Sequence, residues 1–283
     1  MTACNILFCG QSLPAIGQGT WYMGENATRR QQEVAALRAG IERGLTVIDT
    51  AEMYAEGGAE KRVGEAIRGQ RDKVFLVSKV YPWNAGGKPL VSACEGSLRR
   101  LGTEVIDLYL LHWRGGFELA ETVEGMQALI AQGKIRHWGV SNLDVDDMQE
   151  LWSVDGGAGC AANQVLYHLA SRGIEYSLLP WCQSRTVPVM AYCPLAQAGR
   201  LRSGLLADAT VQRIAHDHLA TPAQVLLAWV IHHHGVMAIP KAATIAHVEE
   251  NAAALQLTLT AEDITRLERA FPAPETKIAL DVV

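Results

Sequence analysis

The sequence lacks the features that mark membrane proteins, nucleic-acid-binding proteins and zinc proteins. No apolar run reaches the roughly 18 residues that a membrane-spanning helix needs, so we expect no membrane contact. The formal net charge is −5 with both signs interspersed, which excludes the basic patch typical of nucleic-acid binders. No C-x-x-C pair occurs, so no metal site is predicted.

Cysteine placement and the first residues indicate the compartment. The six cysteines lie mostly inside apolar patterns, which predicts buried free thiols without disulfides. The first ten residues, M-T-A-C-N-I-L-F-C-G, lack the basic n-region of a signal peptide. We therefore expect a cytoplasmic protein, acting as a monomer or a weak homo-oligomer.

A regular alternation of strand and helix patterns fills the chain. Its 283 residues are 49% hydrophobic, which suits a large core and lies within range of a barrel of about 250 residues. After an N-terminal hairpin we count eight strand candidates, with helical patterns between them. The predicted fold is one α/β domain over residues 1–283, a (β/α)8 TIM barrel with an N-terminal β-hairpin and an extra C-terminal helix at 260–271.

The rival architecture, an open doubly wound sheet, requires a glycine fingerprint that this sequence does not complete. That fold places G-x-G-x-x-G in the turn after its first strand, where it binds a pyrophosphate. Gly17-Gln18-Gly19 is followed by Thr20-Trp21-Tyr22, without the third glycine. The sequence therefore favours the barrel.

Turn and capping residues predict several local structures. In the hairpin, Ser12-Leu13-Pro14 is interpreted as the turn. Thr28–Gln31 and Thr221–Gln224 each match a capping box, in which the first and fourth residues bind each other's backbone N–H groups. No helix is predicted between residues 194 and 220.

The stretch Gly44–Tyr54 organises the rest of the sequence. Its apolar run ends at Asp49, which predicts a buried parallel strand with Asp49 at the carboxyl end. A lone aspartate in this position is more often a structural cap than a ligand-binding group. Six later strands, however, carry a polar or aromatic residue at the same place, and barrels gather such residues at one mouth: Lys79, His112, Asn142, Gln164, Tyr192 and Lys241.

Four of these side chains can form a proton donor for a carbonyl group. Tyrosine has a reference pKa of about 10, and a nearby ammonium such as that of Lys79 lowers such a pKa. Asp49 can orient the ammonium, and His112 can donate to a carbonyl oxygen. Because none of these groups supplies an electron pair, a reduction would also need a hydride cofactor.

The motifs around these residues resemble the signatures of the aldo-keto reductases. They are G-x-x-x-I-D-T-A-x-x-Y at 44–54, V-S-K at 77–79, L-L-H-W at 110–113, G-V-S-N at 139–142 and I-P-K at 239–241. The resemblance covers residues 17–251 and is closest to bacterial members assigned to methylglyoxal reduction, which share Q-G-T-W-Y-M-G and V-Y-P-W-N-A-G-G. It implies an NADPH-dependent reductase of small reactive aldehydes and 2-oxoaldehydes, with NADP(H) bound across the barrel mouth.

The resemblance also implies a role for each matching residue. Tyr54 would be the general acid, Lys79 and Asp49 its tuning pair, and His112 the group that orients the carbonyl. Contacts with the nicotinamide would come from Ser141, Asn142, Gln164 and Tyr192. The rest of the cofactor would meet Gly19, Thr20, Pro194, Leu195, Lys241, Ala242, His247, Glu250 and Asn251. Trp21, Trp83 and Trp113 would wall the substrate pocket. Asn142 also fits an N-cap for the helix that follows it.

Three residues depart from the family pattern. Cys193 stands where serine is common after the stacking tyrosine, which suggests an oxidisable site. Ala242 and His247 stand where serine and arginine are common. Because those two residues offer fewer contacts to a 2′-phosphate, the preference for NADPH is expected to be weaker than in the family at large.

Three other functions fit parts of the sequence. A cofactor-binding regulatory subunit with little turnover would share the barrel, but the complete set of four residues argues against it. A class I aldolase would use Lys79 as a Schiff-base nucleophile, which an aspartate partner disfavours by keeping the lysine charged. A metal site at His232–His234 is disfavoured because consecutive helical residues point to different faces.

Overall fold

The computed structural model describes residues 4–283, which form ten strands and eleven α-helices. The strands are β1 (Asn5–Phe8), β2 (Gln11–Pro14), β3 (Gln18–Gly19), β4 (Val47–Asp49), β5 (Phe75–Val80), β6 (Ile106–Leu111), β7 (Ile135–Ser141), β8 (Asn163–Leu166), β9 (Val189–Tyr192) and β10 (Val236–Ala238). The helices are α1 (Arg30–Glu42), α2 (Gly58–Ile67), α3 (Gly87–Leu101), α4 (Leu119–Ala131), α5 (Val145–Ser153), α6 (Leu178–Ser184), α7 (Arg200–Ala207), α8 (Ala209–Asp217), α9 (Pro222–His232), α10 (Ile245–Ala253) and α11 (Ala261–Ala270). None of the helices in residues 4–283 combines the length with the apolar composition that a membrane-spanning helix needs.

Eight parallel strands close into a barrel. Strands β3 to β10 pair with their neighbours in chain order. The sheet closes because the segment around β10 also bonds to the segment around β3. Gly17 N–H donates to Ala238 O at 2.8 Å, and Gly19 N–H donates to Pro240 O at 3.0 Å. The predicted (β/α)8 barrel is confirmed.

The barrel strands are apolar because they are buried on both faces. Every residue of β5 and β6 is buried, with helices outside the sheet and packed side chains inside it. This explains why the strands appear in the sequence as continuous apolar runs rather than as alternating patterns. Polar residues at the strand ends are therefore exceptions that need a partner or a function.

The N-terminal hairpin is confirmed, but its predicted turn is wrong. Phe8 pairs with Gln11, and the two-residue turn is Cys9-Gly10, with φ values of 48° and 73°. Two-residue hairpins favour positive φ at both turn positions, and glycine adopts it without cost. The segment 12–14 instead lies in β2. Phe8 is fully buried and packs edge-to-face on Phe75 at 5.7 Å, so the hairpin covers part of the barrel.

One of the two predicted capping boxes is wrong and the other is confirmed. Thr28 lies inside a 3₁₀ turn, where its N–H and hydroxyl both donate to Asn26 Oδ1 at 2.9 and 2.7 Å. Asn26 is therefore the N-cap of this 3₁₀ turn, because its side chain accepts the Thr28 N–H. Thr221 and Gln224 form the expected reciprocal bonds at the start of α9.

Sequence reasoning missed α7 and α8. Asp208 caps α8 by accepting from the N–H groups of Thr210 and Val211 at 2.8 and 3.1 Å. Val211 and Ile214, three positions apart, are buried on one helix face. An aspartate followed by apolar residues three positions apart is a sequence signal for the start of a helix, and α8 has it. Helix α7 buries only Leu205 and therefore has almost no such signal.

The C-terminal segment 272–283 returns to the barrel mouth. Lys277 Nζ lies 2.8 Å from Asp146 on α5, and the Ser171 hydroxyl donates to Asp281 at 2.5 Å. Val283 contributes to the wall of the mouth. His168, which pairs with Ser171 through the backbone, is buried and accepts the Ala170 N–H through Nδ1 at 3.2 Å.

His168 is expected to make stability depend on pH. Burial lowers the pKa of His168 from 6.5 to about 4, with Asp281 opposing the shift. Between these values the unfolded state binds a proton that the folded state does not, so the free energy of unfolding falls as pH drops from 6.5 towards 4. The loss from this residue should approach about 3 kcal/mol. Urea unfolding at several pH values in that range gives the free energy of unfolding as a function of pH. This free energy should fall less steeply with decreasing pH in His168→Asn, which keeps an acceptor for the Ala170 N–H. An equally steep fall in both proteins would refute the assignment.

Candidate active site

The structure brings most of the predicted residues into one cavity at the carboxyl ends of the barrel strands. Its lining includes Asp49, Tyr54, His112 and Gln164. Lys79 is fully buried below this wall. These residues come from β4, β5, β6 and β8 and the loops that follow them, which places them at one mouth although they are distant in sequence.

Lys79 joins the carboxylate to the phenol. Its ammonium lies 2.8 Å from both oxygens of Asp49 and 2.9 Å from the carbonyl oxygen of Thr50. It also donates to the Tyr54 hydroxyl at 3.1 Å and lies 4.8 Å from the centre of that ring. Because the pair is buried, it is not screened by solvent, and the ammonium has a fixed direction towards the phenol oxygen.

The ionisation of Tyr54 differs from the sequence-based prediction. Burial, followed by the charge of Asp49, raises the pKa of Tyr54 well above 10. Burial likewise lowers the pKa of Lys79, with Asp49 opposing it. The expected lowering of the phenol pKa by the lysine was therefore wrong, because burial is the largest influence on both groups. Tyr54 is held as a neutral phenol that can donate a proton.

His112 is held as neutral imidazole. Burial, followed by the charge of Lys79, lowers the pKa of His112 well below 6.5. Its ring lies edge-on to Tyr54, with ring centres 5.8 Å apart. Nδ1 of His112 has no hydrogen-bond partner among the residues that the structure describes. A neutral imidazole beside the phenol can donate one hydrogen bond to a carbonyl oxygen without adding charge.

Amide side chains connect this group to the neighbouring strands. Gln164 Nε2 donates to Asp49 Oδ1 at 2.8 Å, a contact that sequence reasoning did not foresee. Asn142 donates to His112 O at 3.1 Å and accepts from the Tyr192 hydroxyl at 2.8 Å. The alternative that Asn142 caps α5 is wrong, since Asp144 forms the capping box there.

Part of the cavity wall has left-handed backbone. Tyr22, Asn142, Cys193 and Ala196 all line it and have φ between 50° and 67°. Each such non-glycine conformation costs on the order of 1–3 kcal/mol and persists only where the surroundings impose it. The cavity wall is therefore held in a shape that local preferences oppose.

The three predicted tryptophans occupy different places. Trp21 and Trp113 line the cavity, and Trp21 stacks on Tyr22 at 4.6 Å. Trp83 does not line it and is 60% exposed. It stacks on Tyr81 at 4.2 Å and meets Trp113 edge-on at 5.8 Å, so it lies at the rim behind Trp113.

The predicted cofactor contacts divide into two groups, of which one lines the cavity and the other does not. Gly19, Thr20, Ser141, Tyr192, Pro194, Leu195 and Lys241 line the cavity. Ala242, His247, Glu250 and Asn251 do not. His247 is exposed, and Glu250 accepts the Thr221 hydroxyl at 2.6 Å at the start of α9. Arg202 on α7 and Met53 also line the cavity and were missed, because no motif marks either residue.

Cysteine and histidine chemistry adds little to the site. Burial raises the pKa of Cys193 to about 11, which keeps it a thiol and disfavours the predicted oxidation. All six cysteines are free. Within residues 4–283, no group of three or more histidine, cysteine, aspartate or glutamate side chains could hold a metal ion.

Sequence comparison relates the chain to known reductases. The sequence model of the Aldo/keto reductase family matches residues 15–271. The methylglyoxal reductase YeaE of Escherichia coli (strain K12) is 69% identical over 279 residues, covering 98% of each chain. The glyoxal reductase of Bacillus subtilis (strain 168) is 32% identical over 94% of each chain.

Solved structures show the same architecture. An aldo/keto reductase from Klebsiella pneumoniae, crystallised with NADP and acetate, is 63% identical and superimposes over 100% of both chains with a TM-score of 0.98. The same values apply to an aldo-keto reductase from that organism in complex with NADPH.

Proposed function

Because the chain belongs to the aldo/keto reductase family, it is an oxidoreductase, and we propose that it reduces small reactive aldehydes and 2-oxoaldehydes with NADPH. Methylglyoxal is the proposed substrate, since the YeaE relative carries that name over nearly the full chain. The observation that carries the proposal is the Asp49–Lys79–Tyr54 contact in the cavity wall. It holds a neutral phenol where a carbonyl group can enter.

The residues of the cavity fit NADP(H). Amide and hydroxyl groups of Ser141, Asn142 and Gln164 match the donors and acceptors of a carboxamide, and the ring of Tyr192 is partly exposed beside them. Lys241 and Arg202 supply positive charge at the same cavity, suited to phosphates. When bound, this cofactor supplies the hydride that none of the side chains can provide. Ala242, His247, Glu250 and Asn251 remain proposed contacts for the adenosine end.

The side chains would divide the proton chemistry among them. Tyr54 would donate its proton to the carbonyl oxygen as negative charge develops there. Lys79 would stabilise the resulting phenolate through its 3.1 Å contact, and Asp49 keeps the ammonium charged and oriented. His112 would hold the carbonyl oxygen towards Tyr54 with a neutral hydrogen bond.

Neither alternative function has comparable support. The cofactor-binding regulatory subunit is not supported by the relatives, which are named as reductases. For an aldolase, Lys79 would have to attack a substrate as a free amine. Its ammonium instead makes hydrogen bonds to three neighbouring groups and is fully buried.

We further propose one domain over residues 1–283, a cytoplasmic location and a monomeric or weakly associating state. Three of the free cysteines, Cys94, Cys160 and Cys182, are buried without disulfide partners, which suits a reducing compartment. Gel filtration over a range of concentrations would test the oligomeric state.

A substrate screen tests the proposed substrate class. Trp21, Met53 and Trp113 give the cavity an apolar wall with few donors for a polyhydroxylated chain. A sugar would lose hydrogen bonds to water there without replacing them. In an NADPH-oxidation assay, kcat/KM should therefore be higher for methylglyoxal and substituted benzaldehydes than for glucose or xylose. Higher values for the sugars would contradict this description of the cavity.

A further inference from the structure

A carboxylate two residues before Tyr54 is placed to connect two loops of the cavity wall. Glu52 lies in the turn after β4, and its side chain is 10% exposed. Its backbone N–H approaches the carbonyl oxygen of Lys79 at 3.4 Å, which holds this turn beside the end of β5. Glu52 does not line the cavity, and the proposed chemistry does not use it.

The Glu52 carboxylate fixes the loop that follows β5. Its Oε1 accepts the backbone N–H of Tyr81 at 2.8 Å and the side-chain amide of Asn84 at 3.3 Å. Trp83 lies between these residues, in a 3₁₀ turn over Pro82–Asn84 that Tyr81 precedes and Asn84 ends. A charged acceptor shared by two donors is a stronger anchor than a neutral hydrogen bond.

The other oxygen of the carboxylate faces a network that is centred on the partly exposed side chain of Arg100. Arg100 lies 4.0 Å from Glu52 and donates to the fully buried Glu60 at 2.5 Å. Arg100 crosses directly over Gly57, where a Cβ atom would lie 2.4 Å from its side chain. The backbone between Tyr54 and this glycine is strained, with Ala55 and Glu56 both at φ 51°. The network therefore holds the segment that presents Tyr54 in an unfavourable conformation.

The anchored loop supports the aromatic wall. The rings of Tyr81 and Trp83 stack with their centres 4.2 Å apart. Both rings meet Trp113 edge-on, with ring centres 6.0 Å and 5.8 Å from its centre. Trp113 lines the cavity next to His112, with ring centres 4.9 Å apart. A shift of the loop would therefore move the support of the ring that faces the substrate.

We propose that Glu52 is a positioning residue that sets substrate specificity by locking the 81–84 loop, and thereby Trp113, against the segment that carries Tyr54. This inference rests on the proposed reductase function. A compact substrate such as methylglyoxal needs little of the aromatic wall, whereas an aromatic aldehyde depends on it. Loss of the hydrogen bonds from Tyr81 and Asn84 to Glu52 should therefore lower kcat/KM more for an aromatic aldehyde than for methylglyoxal.

Glu52→Leu and Glu52→Gln test the proposal, with Glu124→Leu as the matched control because Glu124 is exposed on α4 and lies outside the cavity. Hydrogen exchange of the Tyr81 amide should accelerate in Glu52→Leu and less in Glu52→Gln, which keeps an acceptor. KM for 4-nitrobenzaldehyde should rise by up to roughly tenfold in Glu52→Leu, because the loop loses a hydrogen bond to a charged group that is worth at least this factor, while the substrate loses no direct contact. With methylglyoxal, kcat should change less than about twofold, and the control should match wild type.

Two results would overturn the proposal. Unchanged exchange at Tyr81 in both Glu52 variants would show that the carboxylate does not hold the loop. An equal fall in kcat/KM with 4-nitrobenzaldehyde and with methylglyoxal would show that Glu52 has a general structural role instead. Hydrogen exchange requires no turnover, so it tests the anchor even if wild type reduces neither aldehyde, a result that would contradict the proposed function alone. The Gln variant keeps the test valid should Glu52→Leu not fold.

Discussion

Replacing Tyr54 by phenylalanine should abolish most carbonyl reduction while leaving NADPH binding intact. The change removes only the hydroxyl that Lys79 contacts at 3.1 Å, so the ring and the wall of the cavity remain. General acid catalysis by a positioned group is typically worth 10²–10⁴-fold, and kcat with methylglyoxal should fall by at least that order. Fluorescence titration with NADPH should give nearly the same Kd for both proteins.

Tyr176→Phe is the control for this change. Tyr176 is 50% exposed and lies outside the cavity, so the same loss of a hydroxyl there should leave kcat unchanged. A Tyr54→Phe enzyme with near-normal turnover would mean that another group donates the proton.

Replacing Lys79 by methionine should damage both stability and activity. Lys79 is fully buried, and its loss leaves the carboxylate of Asp49, which is 2% exposed, without its cationic partner. Breaking a buried ion pair in this way typically costs about 3–5 kcal/mol. Urea unfolding should report that loss, and kcat should fall because no ammonium remains to stabilise the phenolate.

A double variant separates these two effects. Lys79→Met combined with Asp49→Leu removes both charges, and such apolar replacements of a buried pair are often close to neutral for stability. The double variant should therefore regain much of the lost stability without regaining activity. Lys277→Met, which breaks the exposed pair with Asp146, should change neither property appreciably. If the double variant recovered turnover, Lys79 would have no part in the chemistry.

The strand-end residues could be predicted from the sequence because one simple rule places them. Each follows an apolar run, and the carboxyl ends of parallel barrel strands converge whatever the intervening helices contain. Asp49, Lys79 and His112 meet for this reason, although 63 positions separate the first from the last, and Tyr54 joins them from the turn after β4. The closure of the barrel between Gly19 and β10 follows from the same count of strands.

The features that could not be predicted depend on contacts that leave no local signal. The bond from Gln164 to Asp49 joins residues 115 positions apart, and Arg202 lies on a helix with almost no buried face. The direction of the Tyr54 pKa shift depends on burial, which a list of neighbouring charges does not contain. The hairpin turn differs from the prediction because Gly10 adopts the positive φ that a two-residue turn favours, whereas Pro14 lies in β2.

Rapid mixing of the purified protein with NADPH and methylglyoxal tests the central claim most directly. The absorbance of the reduced nicotinamide should decay with enzyme-dependent kinetics, and the same experiment with Tyr54→Phe should show cofactor binding but almost no decay. Rapid decay that is equal in both proteins would contradict the assignment of Tyr54, and no decay in wild type with any aldehyde would contradict the proposed function.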